Sequence, residues 1–355
     1  MAGLHFHPLR VAAVHADTDD AKVVTFDVPD ALRQTFAFNP GQYLTVRRPG
    51  GADDLRRSYS ICAAAGEPLR VGVRHVPGGA FSSWLHAELK AGDQLEVMEP
   101  QGRFGAVVSA ARGQHLLGIA GGSGITPLLS ILKTALAQDA TTRCTLLYGN
   151  RQAASTMFKE ELEDLKNRHL TRLALHPVFS REQVDAPLTV GRLDRDKIAT
   201  FLRLVGPVDH AFVCGPHAMN DEAEAALRQA GLPPDRIHVE RFGVPPEVAA
   251  TISHAAQAGD AATARITVLR DGLTREIGFT AQDESILAAA SRAGLDVPYS
   301  CKSGVCATCR AKLVEGRVRM DRNFALEKAD LDAGFILTCQ SHPLTEHVSV
   351  SFDDR

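Results

Sequence analysis

Pro298-Tyr299-Ser300-Cys301-Lys302-Ser303-Gly304-Val305-Cys306-Ala307-Thr308-Cys309 is the stretch on which the reading of this chain turns. Its cysteines follow the spacing C-x4-C-x2-C, and Cys339 comes after 29 intervening residues. Four thiolates so spaced hold a [2Fe-2S] cluster, with soft sulfur donors on two irons and loop amides available to the sulfurs. Gly304 permits a close backbone approach where a Cβ would crowd the cluster. The bland alternative is a structural zinc site, but its usual spacing is two C-x2-C pairs. Cys301, Cys306, Cys309 and Cys339 are therefore the candidate metal ligands.

The remaining cysteines, Cys62, Cys144 and Cys214, are scattered singly, which argues against a disulfide framework and for a reducing compartment. The N-terminal Met-Ala-Gly-Leu-His-Phe-His has no basic start before an apolar core, so a cytoplasmic protein is expected. The charge-free run from His115 to Leu132 is broken by Gly121, Gly122, Gly124 and Pro127, which suits a strand, turn and helix and not a membrane span. A net charge of −3 gives no basic footprint for nucleic acid. Among 14 histidines, none forms an i, i+4 pair joined to an acid, so no metal beyond the cluster irons is expected.

Upstream of the cysteines, 355 residues leave room for two more domains. Residues 1–110 carry short alternating segments (Leu9 to Val14, Lys22 to Val28, Gln42 to Arg47, Arg57 to Cys62, Leu69 to His75, Gln94 to Met98) punctuated by Gly and Pro, with one helix from Phe81 to Leu89. That pattern predicts an antiparallel barrel. Residues 111–243 alternate apolar strands with helices, including one from Thr156 to Arg168, and predict a doubly wound parallel sheet. Residues 244–263, opening with Val244-Pro245-Pro246, have little periodicity and read as a linker. Residues 264–355 form the third domain, where Asp271-Gly272 between two strand patterns signals a hairpin.

A [2Fe-2S] cluster accepts one electron, whereas a nicotinamide gives up two together as hydride. A flavin can mediate between them, so the upstream modules should hold one. Arg57-Ser58-Tyr59-Ser60 ends a predicted barrel strand with a guanidinium for pyrophosphate, an aromatic face and a small hydroxyl. Gly78-Gly79-Ala80-Phe81-Ser82-Ser83 opens the module's helix, and a glycine turn at a helix N-terminus is a ready anion site. Gly121-Gly122-Ser123-Gly124-Ile125-Thr126-Pro127 follows a strand and opens a helix, where glycines let backbone amides approach a dinucleotide. Cys214-Gly215-Pro216 ends another strand of the same sheet. Each of these is a turn in the bland reading; their order and context favour binding.

Together these motifs resemble the ferredoxin-NADP reductase superfamily, here with a C-terminal plant-type ferredoxin domain of β-grasp fold. Arg57-Ser58-Tyr59-Ser60-Ile61-Cys62, Tyr148-Gly149-Asn150-Arg151, Glu240-Arg241-Phe242, Gly304-Val305-Cys306-Ala307-Thr308-Cys309 and Leu337-Thr338-Cys339-Gln340 extend the resemblance to reductase components of the phenylacetyl-CoA epoxidase type, in phenylacetate catabolism. The resemblance implies a Greek-key FAD barrel and a hydride-transfer site formed by Ser60, Cys214 and Glu240. It implies FAD binding by Arg57, Ser58, Tyr59, Ser60, Arg74, Gly79, Phe81 and Ser82. Nicotinamide binding would fall to Gly121, Gly122, Gly124, Thr126, Pro127, Cys214, Gly215 and Pro216. Phe242 matches an aromatic that covers the flavin in plastid-type members, although here the chain continues.

Ser180 and Arg181, in Phe179-Ser180-Arg181-Glu182-Gln183, resemble the 2′-phosphate site of NADPH-using members, so NADPH is the expected donor, with NADH the alternative because the neighbouring Glu182 is the residue type that favours it. The expected acceptor is the oxygenase component of a multicomponent enzyme. A steroid or alkene monooxygenase and a redox-sensing protein with negligible turnover are the alternatives.

Overall fold

The computed structural model describes residues 4–49, 54–110, 112–182, 186–244, 254 and 257–354. Gln183 and most of the expected linker lie outside these. The chain divides into two compact units, one built on His7–Leu55 with Tyr59–Phe242 and the other on Gly243–Arg355, to which the residues before His7 and the short run Arg56–Ser58 at the start of one barrel strand are also assigned.

Six antiparallel strands open the first unit: β1 (Phe6–Thr18), β2 (Ala21–Asp27), β3 (Tyr43–Arg47), β4 (Arg56–Ser60), β5 (Arg70–Arg74) and β6 (Gln94–Met98). Their order is β4-β3-β6-β1-β2-β5, and a bridge between Ile61 and Val71 joins the two edges into a barrel. Alternation of apolar residues along these strands fills its interior with Leu9, Val11, Leu44, Val46, Val71 and Val97. Helix α1 (Ala80–Glu88) closes one end, burying Phe81 and Leu85.

The second sheet of this unit contains β7 (His115–Gly121), β8 (Arg143–Asn150), β9 (Leu173–Phe179), β10 (His210–Gly215) and β11 (Ile237–Arg241), all parallel in the order β11-β10-β7-β8-β9. Strand order reverses between β7 and β10, and open α/β sheets bind ligands at the carboxyl ends of such strands. Helix α2 (Ile125–Gln138) is buried continuously from Ile125 to Leu136, as befits a helix that is apolar nearly all round. Even its Lys133 is buried, paired with Glu67 of the barrel and Glu161 of α3 (Lys159–Arg168). Helices α4 (Arg195–Val205) and α5 (His217–Gln229) contribute Ile198, Phe201, Ala223 and Leu227 to a separate core.

Helix α3 starts at Lys159, not at Thr156 as the pattern suggested. Phe158 adopts a left-handed φ of 56°, and both carboxylate oxygens of Asp17, on β1, accept its backbone N–H at 3.1 and 3.0 Å. A bulky residue in that conformation is held there by tertiary contacts.

In the second unit, β12 (Thr263–Arg270) and β13 (Leu273–Thr280) form the expected hairpin, with φ of 53° at Asp271 and 72° at Gly272, as a two-residue type I′ turn requires. The five-stranded sheet has the order β13-β12-β18-β14-β16, from β14 (Arg310–Glu315), β16 (Phe335–Leu337) and β18 (His347–Ser351) with the hairpin. A helix, Ile286–Arg292, is capped by Ser285 and packs its Ile286, Leu287, Ala289 and Ala290 into the core. The periodicity did not foretell a ribbon of β15 (Val318–Met320) with β17 (Ser341–Pro343), or a short helix at Lys328–Asp332, because elements this short show no period. Among the described residues, no helix is long and apolar enough to cross a membrane.

Candidate functional site

Ser60 ends barrel strand β4, and its Oγ donates to Glu240 Oε2 at 3.3 Å. Glu240 lies on β11 in register with Cys214 on β10, which pairs in turn with Ala120 on β7. Ser60, Cys214 and Glu240 are thus brought together at the carboxyl ends of the strands flanking the reversal. Glu240 is half-buried as a residue, but its carboxyl group is withdrawn from water, and burial pushes it up to about 8. It carries a proton at neutral pH. Cys214 is wholly buried, and burial, reinforced by Glu240 once that carboxyl ionises at alkaline pH, lifts its thiol well above the ordinary value. It is a neutral thiol and not a thiolate nucleophile.

Two loops meet beside these groups. A Cβ on Gly124 would stand 2.0 Å from the Cys214 carbonyl oxygen and 2.4 Å from its carbon, so only glycine lets the loop after β7 lie against the loop after β10. Pro216 and Met219 crowd Gly121 in the same way, and Gly215 abuts Met219 and Gly121. The glycines expected to admit a dinucleotide therefore also serve loop-to-loop packing. Thr126 Oγ1 donates to the Ser123 carbonyl at 3.0 Å, and Pro127 lies in the first turn of α2. Arg74 lies beside Gly122, with Nη2 donating to the Ser155 carbonyl at 2.6 Å. That bond commits part of its guanidinium to the loop before α3.

Two groups at this site had no role assigned from the sequence, although Tyr148 lies in one of the stretches that carry the resemblance. Tyr148 Oη donates to the Gly122 carbonyl at 3.0 Å, and burial raises its phenol above the ordinary value, so the loop is tied to a neutral hydroxyl. Asn220, completely buried on α5, donates from Nδ2 to the Glu240 carbonyl at 3.2 Å and fixes the end of β11. The available signal was an amide on the apolar face of a helical pattern, where a polar side chain needs a buried partner.

At the barrel, Tyr59 is tilted against Phe81, with ring centroids 5.8 Å apart and planes inclined at 46°. The Phe81 side chain is sealed in the barrel core, so its backbone amide is what it can offer a ligand. Ser82 Oγ accepts from the Val76 N–H at 3.1 Å and so braces the Val76–Gly79 turn. Its hydroxyl is committed to that turn, which leaves its amide for an anion at the start of α1. Arg57 is exposed, its Nη1 donating to the Arg56 carbonyl at 2.7 Å, and Ser58 is half-buried on the same strand. Phe242, the residue the resemblance places over the flavin, is 47% exposed.

Ser180 and Arg181 follow β9, with backbone N–H groups donating to the Asn150 and Arg151 carbonyls, both at 2.9 Å. Arg181 is exposed. The carboxylate of Glu182 accepts the Ala153 N–H at 2.6 Å, which occupies it with a neighbouring turn.

The four cysteines of the second unit come together in two pairs. Cys306 hydrogen-bonds Cys301, and that contact, with the Ser303 N–H 3.4 Å from Cys301 Sγ, draws Cys301 down to about 5. Cys309 is raised by its hydrogen bond with Cys339. Two sulfur pairs suit two irons, and positive φ at Lys302, Gly304 and Ala307 curls the loop around them. Gln340 Nε2 braces the far side, donating to the Lys302 carbonyl at 3.0 Å and lying 3.5 Å from Cys339 Sγ. The donor set fits a [2Fe-2S] cluster.

Fold and site define an oxidoreductase of the ferredoxin-NADP reductase type that carries its own iron-sulfur domain. Family models agree: residues 8–105 match the oxidoreductase FAD-binding domain, 119–225 the oxidoreductase NAD-binding domain and 268–344 the 2Fe-2S iron-sulfur cluster binding domain. The chain belongs to the family of FAD- and [2Fe-2S]-containing reductase components of oxygenase systems. It is 44% identical to one of the subunits of 1,2-phenylacetyl-CoA epoxidase from Escherichia coli K12, over 99% of this chain and 98% of that one. It is 34% identical to the ferredoxin reductase component of 3-ketosteroid-9-alpha-monooxygenase from Rhodococcus rhodochrous, over 97% and 96% of the two chains. Phthalate dioxygenase reductase shares the fold, with a TM-score of 0.57 at 23% identity across 98% of both chains.

Proposed function

We propose that this chain draws hydride from NADPH and delivers single electrons to the oxygenase of a multicomponent enzyme, the epoxidase that acts on phenylacetyl-CoA. The observation that carries the reading is the meeting of Ser60, Glu240 and Cys214 where the parallel sheet reverses. FAD, when bound, supplies the conversion of a hydride into single electrons, which no side chain can perform. Ser60 and protonated Glu240 hold a hydrogen-bonded pair where the nicotinamide would meet the flavin, and Cys214 packs behind them as an uncharged group. Arg57 and the amides opening α1 would take the FAD pyrophosphate, with Tyr59 against the flavin. The Gly121–Thr126 and Cys214–Pro216 loops would take the nicotinamide nucleotide. Cys301, Cys306, Cys309 and Cys339 would hold the cluster.

The modules are assigned to residues 1–110, 111–243 and 264–355, with 244–263 as a linker; the three family matches fall inside these bounds. Preference for NADPH is supported by exposed Arg181 beside Ser180, and by the engagement of Glu182 with Ala153, which withdraws the acid that would otherwise select NADH. The phenylacetyl-CoA assignment rests on the full-length similarity to the Escherichia coli protein. The steroid-oxygenase relative keeps a second acceptor in view. Cys62, Cys144 and Cys214 are buried thiols that form no disulfide, which accords with a cytoplasmic setting.

Anaerobic titration of the holoenzyme with NADPH, then NADH, should bleach flavin and iron-sulfur absorption, with NADPH effective at the lower concentration. Addition of the purified epoxidase oxygenase and phenylacetyl-CoA should restore turnover. Turnover with a steroid oxygenase alone would redirect the acceptor, and a protein whose absorption NADPH leaves unchanged would overturn the reading.

A further inference from the structure

The second unit contains a group of metal-binding side chains separate from the cysteines. His254 Nδ1, Asp321 Oδ2 and His342 Nε2 all lie within 4.8 Å of one another. Asp321 Oδ2 accepts from His254 at 2.8 Å and from His342 at 2.9 Å. The three side chains are 15%, 10% and 4% exposed, so the cluster is largely sheltered from water.

Its frame is rigid. Asp321 follows β15, its backbone N–H donating to the Gln340 carbonyl at 2.8 Å, and His342 lies on β17 opposite Arg319. Arg319 Nη1 donates to Asp321 Oδ1, leaving Oδ2 for the histidines. The guanidinium is itself neutralised by Asp260, whose two carboxylate oxygens accept from Nε and Nη2 at 2.9 and 2.7 Å. Asp260 and Asp321 together offset the single charge of Arg319, so no net positive charge opposes a cation. An oriented carboxylate beside two imidazoles is a donor set that zinc accepts, with a fourth position left for water.

We propose that His254, Asp321 and His342 form a second metal site, of nitrogen and oxygen donors, that takes a divalent transition-metal ion of the zinc class. On binding, each neutral imidazole shifts its single proton to its other ring nitrogen, Nε2 of His254 and Nδ1 of His342, so that His254 Nδ1, His342 Nε2 and the freed Asp321 Oδ2 present lone pairs to the ion and no proton is released. His254 comes from the chain ahead of β12, whereas His342 follows the cluster ligand Cys339 by three residues. The ion would therefore pin the entry of this domain to the ribbon next to the cysteine loop.

The test uses the iron-loaded, FAD-bound full chain, incubated with zinc chloride and desalted before elemental analysis. About one zinc per chain is expected at full iron content, with a zinc K-edge first shell of nitrogen and oxygen near about 2.0 Å. His254→Ala should lose this zinc while keeping iron and flavin, and His342→Gln should do the same from the other side. Absence of retained zinc in the wild type would overturn the site. So would equal zinc in wild type and His254→Ala, or a sulfur shell near about 2.3 Å, which would place the zinc on the cluster cysteines.

Discussion

Ser60 Oγ and Glu240 Oε2 stand 3.3 Å apart although 180 residues separate them in the chain, one ending a barrel strand and the other lying near the end of a strand of the parallel sheet. The contact places a hydroxyl and a protonated carboxyl at the same point, and its chemistry depends on the proton.

Burial raises Glu240 from 4.5 to about 8, so the folded protein binds that proton more tightly than the unfolded chain does. The stability this supplies is complete below about 4.5 and is lost as pH rises through about 8. Glu240→Gln should therefore melt no higher than wild type at pH about 5 but higher at pH about 9. Stopped-flow flavin reduction by NADPH should show an inflection near about 8 in wild type that the variant lacks.

Gly124→Ala places a methyl 2.0 Å from the Cys214 carbonyl oxygen, a clash with backbone that no rotamer can relieve. A loss of about 3 kcal/mol is expected in urea denaturation, with a raised KM for the nicotinamide. Gly78→Ala meets nothing within 4 Å and bears only the strain of its φ of 74°. Its cost should be about 1 kcal/mol.

Arg181→Ala should lower kcat/KM for NADPH by roughly 10- to 100-fold, the loss of one charge-assisted phosphate contact. The value for NADH should hold. Steady-state kinetics with both nucleotides and ferricyanide as acceptor measures the difference.

Cys339→Ser removes one sulfur from the Cys309 pair. Iron content and the broad iron-sulfur absorption should fall, while NADPH still bleaches the flavin. Electron delivery to an oxygenase partner should be lost. Elemental analysis and anaerobic spectra of the same sample check both halves.

What the sequence determined by itself was whatever local chemistry encodes. The left-handed turn at Asp271-Gly272 needs only two residues, the parallel sheet follows from alternating strand and helix patterns, and the cysteine spacing states the ligand set within one loop and one distant residue. The tertiary structure decided the rest, because those features are set by partners remote in the chain. Asp17 fixes where α3 begins, Ala153 occupies Glu182, and Cys214 requires Gly124 to be bare. The histidines show the difference most clearly: no spacing linked His254 to His342, yet one carboxylate oxygen of Asp321 accepts from both. Periodicity reports which face of an element is buried; only packing brings two buried polar groups within the roughly 3 Å over which they can share a proton or a metal.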